Sequence, residues 1–308
     1  MRLTVTPAFE GRTVRDFLRA AGVSASLLSR LKQKENGILL HGERVTVRAM
    51  LHAGDVLELA AEDERANERI LPADLSFEVL AETPDYVAVN KPAGMPTHPS
   101  HGHFSDTLAN AMVHFYRGGE PPFCPRFINR LDRGTSGVVL VARHALSAAV
   151  LSRAMAAGRM HKTYLAVAEG KLTEPQTIET GIRRRQESII FRETCPVGQG
   201  DRAVTHVEPL FAAGELSLLC LTPETGRTHQ LRVHLTSLGH PLYGDGLYGH
   251  EQNDLDRPAL HAAKLVFPDP VTGDMVEVCA PLPQDLDRLI AEKMGQEAAA
   301  LARRFCKP

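Results

Sequence analysis

The residues best suited to chemistry lie between 126 and 143, RFINRLDRGTSGVVLVAR. A charged cluster, Arg130, Asp132 and Arg133, is followed by a small-residue turn, Gly134-Thr135-Ser136-Gly137, and then by an apolar run. Polar groups set against the start of a buried strand are costly unless they are paired or used. One ionised carboxylate in such a place can attack as a nucleophile or accept a proton. A nearby arginine would keep it ionised, because an opposite charge lowers an aspartate's pKa, and would grip it bidentately. For an isolated R-x-D the ordinary reading is a loop salt bridge. The turn lacks G-x-S-x-G spacing, so Ser136 is not read as a hydrolase nucleophile. Thr135 and Ser136 are instead expected to shape the turn beneath Asp132.

The elements around this cluster follow from periodicity and breakers. GVVLVA (137–142) suits a buried strand, and a helix through Leu146, Val150 and Ala154 to Gly158 follows it. FEVL and YVAVN flank a turn at Thr83-Pro84-Asp85, and Asp106 is expected to cap a helix carrying Leu108, Met112 and Phe115. THQLRVHLTSLG (228–239) reads as a helix stopped by Gly239, and QDLDRLIAEKMGQEAAALARRF as one amphipathic surface helix that frays towards its end. Further strands are expected at KTYLAVAEG, AVTHVEPL, LSLLCL, ALHAAKLVF and MVEVCA, without a regular βαβ alternation. The expected class is α+β, with a mixed, mainly antiparallel sheet and flanking helices.

Residues 1–60 read as a separate small α/β unit. Val14, Phe17 and Leu18 share a helix face, Ser24 opens a second helix that Gly37 ends, and ILLHGERVTV makes two strands joined at His41-Gly42. Nine Lys/Arg against six Asp/Glu give this unit an excess of three positive charges, although the 308-residue chain carries −2. The charged run AEDERANER lies in an expected linker, 61–75, and the larger domain in 76–308. Hydrophobic residues at 43 % and charged ones at 23 % fit a globular protein, and no apolar run approaches the roughly 18 residues of a membrane span. Five scattered cysteines without C-x-x-C, and no secretory signal, point to a reducing, cytoplasmic setting. His98, His101 and His103 form an H-x-x-H-x-H run with no carboxylate or cysteine inside it, which is a poor zinc set. No metal is expected.

The string NRLDRGTSGVVL resembles the catalytic signature of the RluA-type pseudouridine synthases, commonly written H-R-L-D-x-x-T-S-G. Three more segments are similar to that family's motifs, in its order: YVAVNKPAGMPTHPS (86–100), HKTYLAVAEG (161–170) and GRTHQLRVHLTSLGHPLYGDGLYG (226–249). The resemblance covers roughly residues 76–282. It implies an enzyme that isomerises uridine to pseudouridine in structured RNA, ribosomal ahead of transfer RNA, with no cofactor. It places the catalytic carboxylate at Asp132, the family's aromatic at Tyr164, and the arginine paired with the aspartate at Arg232. Arg130 matches an arginine that helps to displace the target base. Lys162, His98 and Gln230, from the other motifs, are the remaining candidates for substrate contact. Two departures stand out: Asn129 where His is common, and Asp269 where the family often has His. The unit at 1–60 resembles the RNA-binding module of a ribosomal small-subunit protein, often fused ahead of this domain.

The implied reaction breaks the bond from ribose to the base nitrogen, turns the uracil and rejoins it through carbon. Extruding a stacked base costs a few kcal/mol, and a tyrosine face can return about 1–3 kcal/mol by stacking. Two other functions compete with this one. A non-catalytic RNA-binding relic has no need to keep Arg130, Asp132, Tyr164 and Arg232 together. A metal-dependent hydrolase built on the histidine loop lacks a ligand set. Arg183-Arg184-Arg185 is either a solvated turn or a phosphate contact. With no long apolar heptad, a monomer is expected.

Overall fold

The N-terminal unit builds a sheet of its own in this computed structural model, which describes residues 1–60, 70–119, 123–186, 188 and 190–307. Strands β1 (Arg2–Thr4), β2 (Ile38–Leu40), β3 (Glu43–Arg44) and β4 (Val56–Leu59) pair antiparallel in the order β1-β4-β2-β3. His41 and Gly42, both at positive φ (52° and 81°), close the two-residue β2–β3 hairpin, the backbone that matches strand twist best. Helix α1 (Val14–Ala20) starts with a reciprocal capping box between Thr13 and Asp16, and α2 (Ala25–Gln33) is capped by Ser24. Helix α2 stops at Gln33, short of the expected Gly37. Gly37 then folds back so tightly that a Cβ there would lie 1.7 Å from the Leu31 carbonyl oxygen. Leu18, Leu51 and Leu57 are fully buried in this unit's core.

The charged run at 61–69 lies outside the described residues. The rest of the expected linker is not free chain, because Asn110 accepts the Ala73 N–H on its backbone oxygen and donates its side-chain N–H to the Leu71 carbonyl.

The second sheet contains β5 (Glu78–Glu82), β6 (Tyr86–Lys91), β7 (Arg126–Phe127), β8 (Ser136–Ala142), β9 (His161–Glu169), β10 (Gln176–Arg184), β11 (Arg192–Cys195), β12 (Asp201–Ala213), β13 (Leu216–Pro223), β14 (Leu260–Pro268) and β15 (Met275–Cys279). Its order is β11-β10-β12-β13-β9-β14-β8-β6-β5, with β15 beside β14 and β7 beside β8. The β14–β8 contact is parallel and the other described pairings are antiparallel. Every residue of β8 is buried, which is why it reads as an unbroken apolar run. Truncating one of its central side chains, such as Leu140, would cost about 2–5 kcal/mol.

Helices α3 (Leu108–Phe115), α4 (Ala145–Ala156), α5 (Gln230–Ser237), α6 (Gln284–Met294) and α7 (Gln296–Phe305) cover the sheet. Leu108 and Met112 of α3 and Leu231 and Leu235 of α5 share one core cluster. Leu151 and Ala154 of α4 belong to another, while Leu146 of the same helix joins the core of the N-terminal unit. Two local expectations are corrected. Thr107, not Asp106, caps α3 through a box with Asn110, and Asp106 instead holds His103 at 2.5 Å. The C-terminal stretch is two helices broken at Gly295 (φ 93°), and its apolar side is buried, not fraying: Leu286, Leu289, Ile290, Ala298, Ala299 and Ala302 all sit in one core cluster.

Candidate functional site

The parallel β8–β14 contact decides where the chemistry can sit. Gly137 faces Ala262, and Ala262 in turn faces Tyr164 on β9. Gly137 has φ 117°, and a Cβ on it would lie 2.2 Å from the Ala262 carbonyl oxygen. Only glycine lets the two backbones meet there, and the loop carrying Asp132 springs from this crossing.

That loop is fastened from several sides. Thr97 exchanges hydrogen bonds with Leu131, donating from its hydroxyl to the carbonyl and accepting the N–H. The Gly94 N–H donates to the Arg133 carbonyl, and Arg133 Nε returns a bond to the Gly94 carbonyl. Asn129 spans two residues of β8, donating to Val138 O (3.1 Å) and accepting from Leu140 N (2.7 Å). Asparagine at this departure from the family string thus has a structural use. Ser136 bonds His261 Nδ1 in a fully buried contact, while the Thr135 N–H closes the turn onto the Asp132 carbonyl. Asp269 bonds the Val271 and Thr272 N–H groups in the β14–β15 turn.

Beneath the loop lies Lys91, which the sequence reading overlooked. It is wholly buried and donates to three carbonyl oxygens, Pro92 (2.8 Å), Met95 (2.7 Å) and Arg133 (3.3 Å). Burial pushes its pKa down to about 7, against the pull of the nearby Asp132 charge. The signal was the lysine itself, closing a strand that is buried apart from half-buried Asn90.

A cavity of about 310 Å³ opens above the loop, and all seven expected residues line it: Asp132, Tyr164, Arg232, Arg130, Lys162, His98 and Gln230. This is near the lower end of the size range of small-ligand sites, roughly 300–1,000 Å³. Tyr164 is buried, and burial followed by the Asp132 charge raises its pKa, so the phenol keeps its proton. Burial lowers the pKa of Lys162. His98 sits edge-on to Phe127 (centroids 4.5 Å apart), and burial with the Arg130 charge makes it harder to protonate. Arg130 is exposed at the mouth. No hydrogen bond from another described residue reaches the Asp132 carboxylate, which is half-buried in the cavity wall.

Two roles are corrected. Arg232 does not form a direct ion pair with Asp132. Its fork is taken by Asp245, with Nε to Oδ2 at 2.7 Å and Nη2 to Oδ1 at 2.6 Å, and the Asp245 side chain is 1 % exposed. Burial opposes the Arg232 charge, but the Asp245 bonds and charge, with Asp132 adding to them, leave its pKa raised. The physical reason is proximity: Asp245 sits in the turn following α5 and reaches the guanidinium first. Gln230 is equally committed. Its amide donates to Val204 O and Thr205 Oγ1 and accepts from Thr225 Oγ1 and Arg227 N, so it latches α5 to β12 and has no group left for a substrate.

Helix α5 begins at Gln230, two residues later than expected, because His229 adopts a left-handed backbone (φ 58°, ψ 17°). Its Nδ1 lies 2.8 Å from the Tyr248 hydroxyl, and the Arg232 guanidinium stacks over the Tyr248 ring at 4.9 Å. Asp245 and Tyr248 both come from the GHPLYGDGLYG stretch, which lies inside the matched motif, although the sequence reading singled out neither residue. Among the described residues no group of three His, Cys, Asp or Glu is placed to hold a metal. Arg183 of the basic triplet is bonded to Glu193 at 2.8 Å. No described helix is long and apolar enough to cross a membrane.

Comparison with known proteins identifies the family. The sequence model of the family described as RNA pseudouridylate synthase matches residues 85–237. An uncharacterised RNA pseudouridine synthase of Bacillus subtilis, YjbO, is 36 % identical over 279 residues, covering 90 % of this chain and 98 % of that protein. A ribosomal large subunit pseudouridine synthase D of Xylella fastidiosa is 34 % identical over 290 residues, 88 % of this chain and 86 % of its own. Among solved structures, human RNA pseudouridylate synthase domain containing 1 superposes with a TM-score of 0.56 at 32 % identity, covering 68 % of this chain and 84 % of the other. The chain belongs to the RluA-type family of RNA pseudouridine synthases, enzymes that isomerise uridine within RNA.

Proposed function

We propose that this enzyme converts a uridine of large-subunit ribosomal RNA to pseudouridine, with Asp132 as the catalytic carboxylate. The observation that carries the reading is the Asp132 carboxylate itself, held on a fastened loop in the cavity with no hydrogen bond from a described neighbour. The ribosomal assignment rests on relatives such as the Xylella fastidiosa large-subunit enzyme.

In this reading a flipped uridine enters the cavity, and Arg130 at the mouth takes the place the base leaves in the RNA. Tyr164, protonated and buried, offers a ring face to the base and a hydroxyl close to Asp132. Asp132 acts where the bond from C1′ to N1 breaks and the bond from C1′ to C5 forms. The C5 proton leaves and N1 gains one, so substrate and product are isomers. The basic N-terminal unit adds sequence-independent phosphate contacts.

The test compares pseudouridine maps of ribosomal and transfer RNA from cells lacking this protein, complemented with wild type or Asp132→Asn. We expect one or more large-subunit ribosomal sites to vanish on deletion, return with wild type, and stay absent with Asp132→Asn. Sites lost only from transfer RNA would move the substrate assignment, and restoration by Asp132→Asn would end the role of the carboxylate.

A further inference from the structure

We propose that His229 is a substrate-contacting residue of this site, whose Nε2–H donates to a carbonyl oxygen of the flipped uracil and stabilises the charge that base gathers as its bond to ribose breaks. This rests on the reading of the cavity given above.

The tautomer follows from its neighbours. The Tyr248 hydroxyl accepts the Arg192 N–H at 2.8 Å and stands 2.8 Å from His229 Nδ1. We assign the phenol's own proton to Nδ1, the arrangement in which that hydroxyl both accepts and donates, and this leaves the ring proton on Nε2. The ring lines the cavity together with Asp132 and Arg232. Burial and the Arg232 and Arg192 charges outweigh the opposing pull of Asp132 and Asp245, so the imidazole is harder to protonate than usual. A neutral donor beside Arg232 adds direction without adding a second cation.

Its backbone is the independent observation. His229 and His41 are the non-glycine residues at positive φ among those described. His41 is accounted for by its hairpin. His229 stands at the N-cap position of α5, yet its side chain caps nothing. A strained backbone persists where the surrounding structure forces it, and such positions cluster at functional sites. Here the forcing is visible along the face of α5 that meets the sheet. Gln230 is latched to β12, and the fully buried His234 is bonded to Thr205 (2.9 Å) and Thr180 (3.0 Å). The helix start cannot relax, and the imidazole is held facing the cavity.

The chemistry suits such a donor. Whichever route cleaves the bond from C1′ to N1, the electron pair leaves with the uracil and spreads onto its two carbonyl oxygens. A preorganised N–H aimed at that oxygen strengthens as the charge develops, and losing one such donor costs about 10²–10³ in rate.

The test uses the full chain and large-subunit ribosomal RNA purified from cells lacking it, with single-turnover rate, RNA affinity and thermal midpoint measured for each variant. His229→Gly keeps a backbone suited to positive φ and removes the ring. We expect its rate to fall at least 30-fold, with affinity within threefold and a thermal midpoint equal to or above wild type. His229→Gln, which restores an N–H donor, should recover at least fivefold over His229→Gly. A His229→Gly rate within threefold of wild type would overturn the proposal. So would a rate loss matched by loss of stability, which marks a structural role, or a glutamine variant no better than glycine. Absence of pseudouridine in the wild-type reaction on this RNA would instead overturn the substrate reading on which the proposal rests.

Discussion

Arg232 and Asp245 form a buried bidentate pair, and the pair, not Asp132, sets the position of the guanidinium at the cavity wall. Asp132 makes no direct contact with that arginine, and its charge adds to that of Asp245 in keeping the guanidinium protonated. The carboxylate in the cavity is thus left open to the substrate, while a second carboxylate holds the cation in place.

Breaking this pair from the acidic side should be the more damaging change. Asp245→Ala leaves a buried positive charge unmatched, at a cost of about 3–5 kcal/mol. It also strips the acceptor from the Leu247 and Tyr248 N–H groups. The double variant Arg232→Met/Asp245→Leu should be more stable than Asp245→Ala alone while remaining inactive. Arg232→Lys should keep part of the wild-type stability but cannot supply the fork. Urea unfolding of the four proteins checks the order, and an Asp245→Ala protein as stable as wild type would refute it.

Lys91 predicts a pH signature of definite sign. Its pKa is about 7 in the folded protein against 10.5 for an ordinary lysine. Between those values the unfolded chain holds a proton that the folded chain has released, so unfolding takes up a proton and becomes harder as pH rises. Wild type should therefore gain stability relative to Lys91→Met from about pH 7 up to pH 10, and show no such relative change from pH 5 to 6. At pH 7 the methionine variant should be less stable by about 1–3 kcal/mol, since carbonyls under the Asp132 loop lose their donor. Denaturant titrations of both proteins across this range decide it.

Gly137→Ala should abolish activity and destabilise strongly. The added methyl would collide with the Ala262 backbone, at a position whose φ already disfavours any side chain. The β8–β14 contact under the Asp132 loop would have to open. A well-folded, fully active Gly137→Ala enzyme would show that the parallel contact is dispensable.

Removing residues 1–60 should weaken RNA binding and flatten its dependence on salt. For every phosphate that the shortened chain leaves unneutralised, the slope of log affinity against log salt falls by roughly 0.7–0.9. The shortened chain should also unfold at lower temperature, because Leu146 of α4 is buried in the core of the N-terminal unit. Identical salt slopes for the two chains would remove that unit from RNA recognition.

Much of this was readable in one dimension, for reasons that can be named. β8 is buried on both faces, so its apolar run is continuous and its place in the sheet is unambiguous. The helix start at Ser24 and the His41-Gly42 hairpin are local events, written in neighbouring residues. The seven expected site residues lie in four motifs, and that was enough to gather them, because a motif preserves residues that share a surface.

What the chain alone left undecided is who touches whom. Arg232 was assigned to Asp132, 100 residues away, and only the turn after α5 put Asp245, 13 residues away, against its fork. Gln230 reads as a substrate ligand until β12 is seen to consume its amide, and nothing in the order of residues says that three carbonyl oxygens close over Lys91. The break at Gly295 and the burial of the helices on either side depend on a core surface contributed by β9, β13 and β14. Hydrogen bonds and ion pairs form between neighbours in space. Sequence supplies the groups, and folding alone decides which of them come within hydrogen-bonding reach.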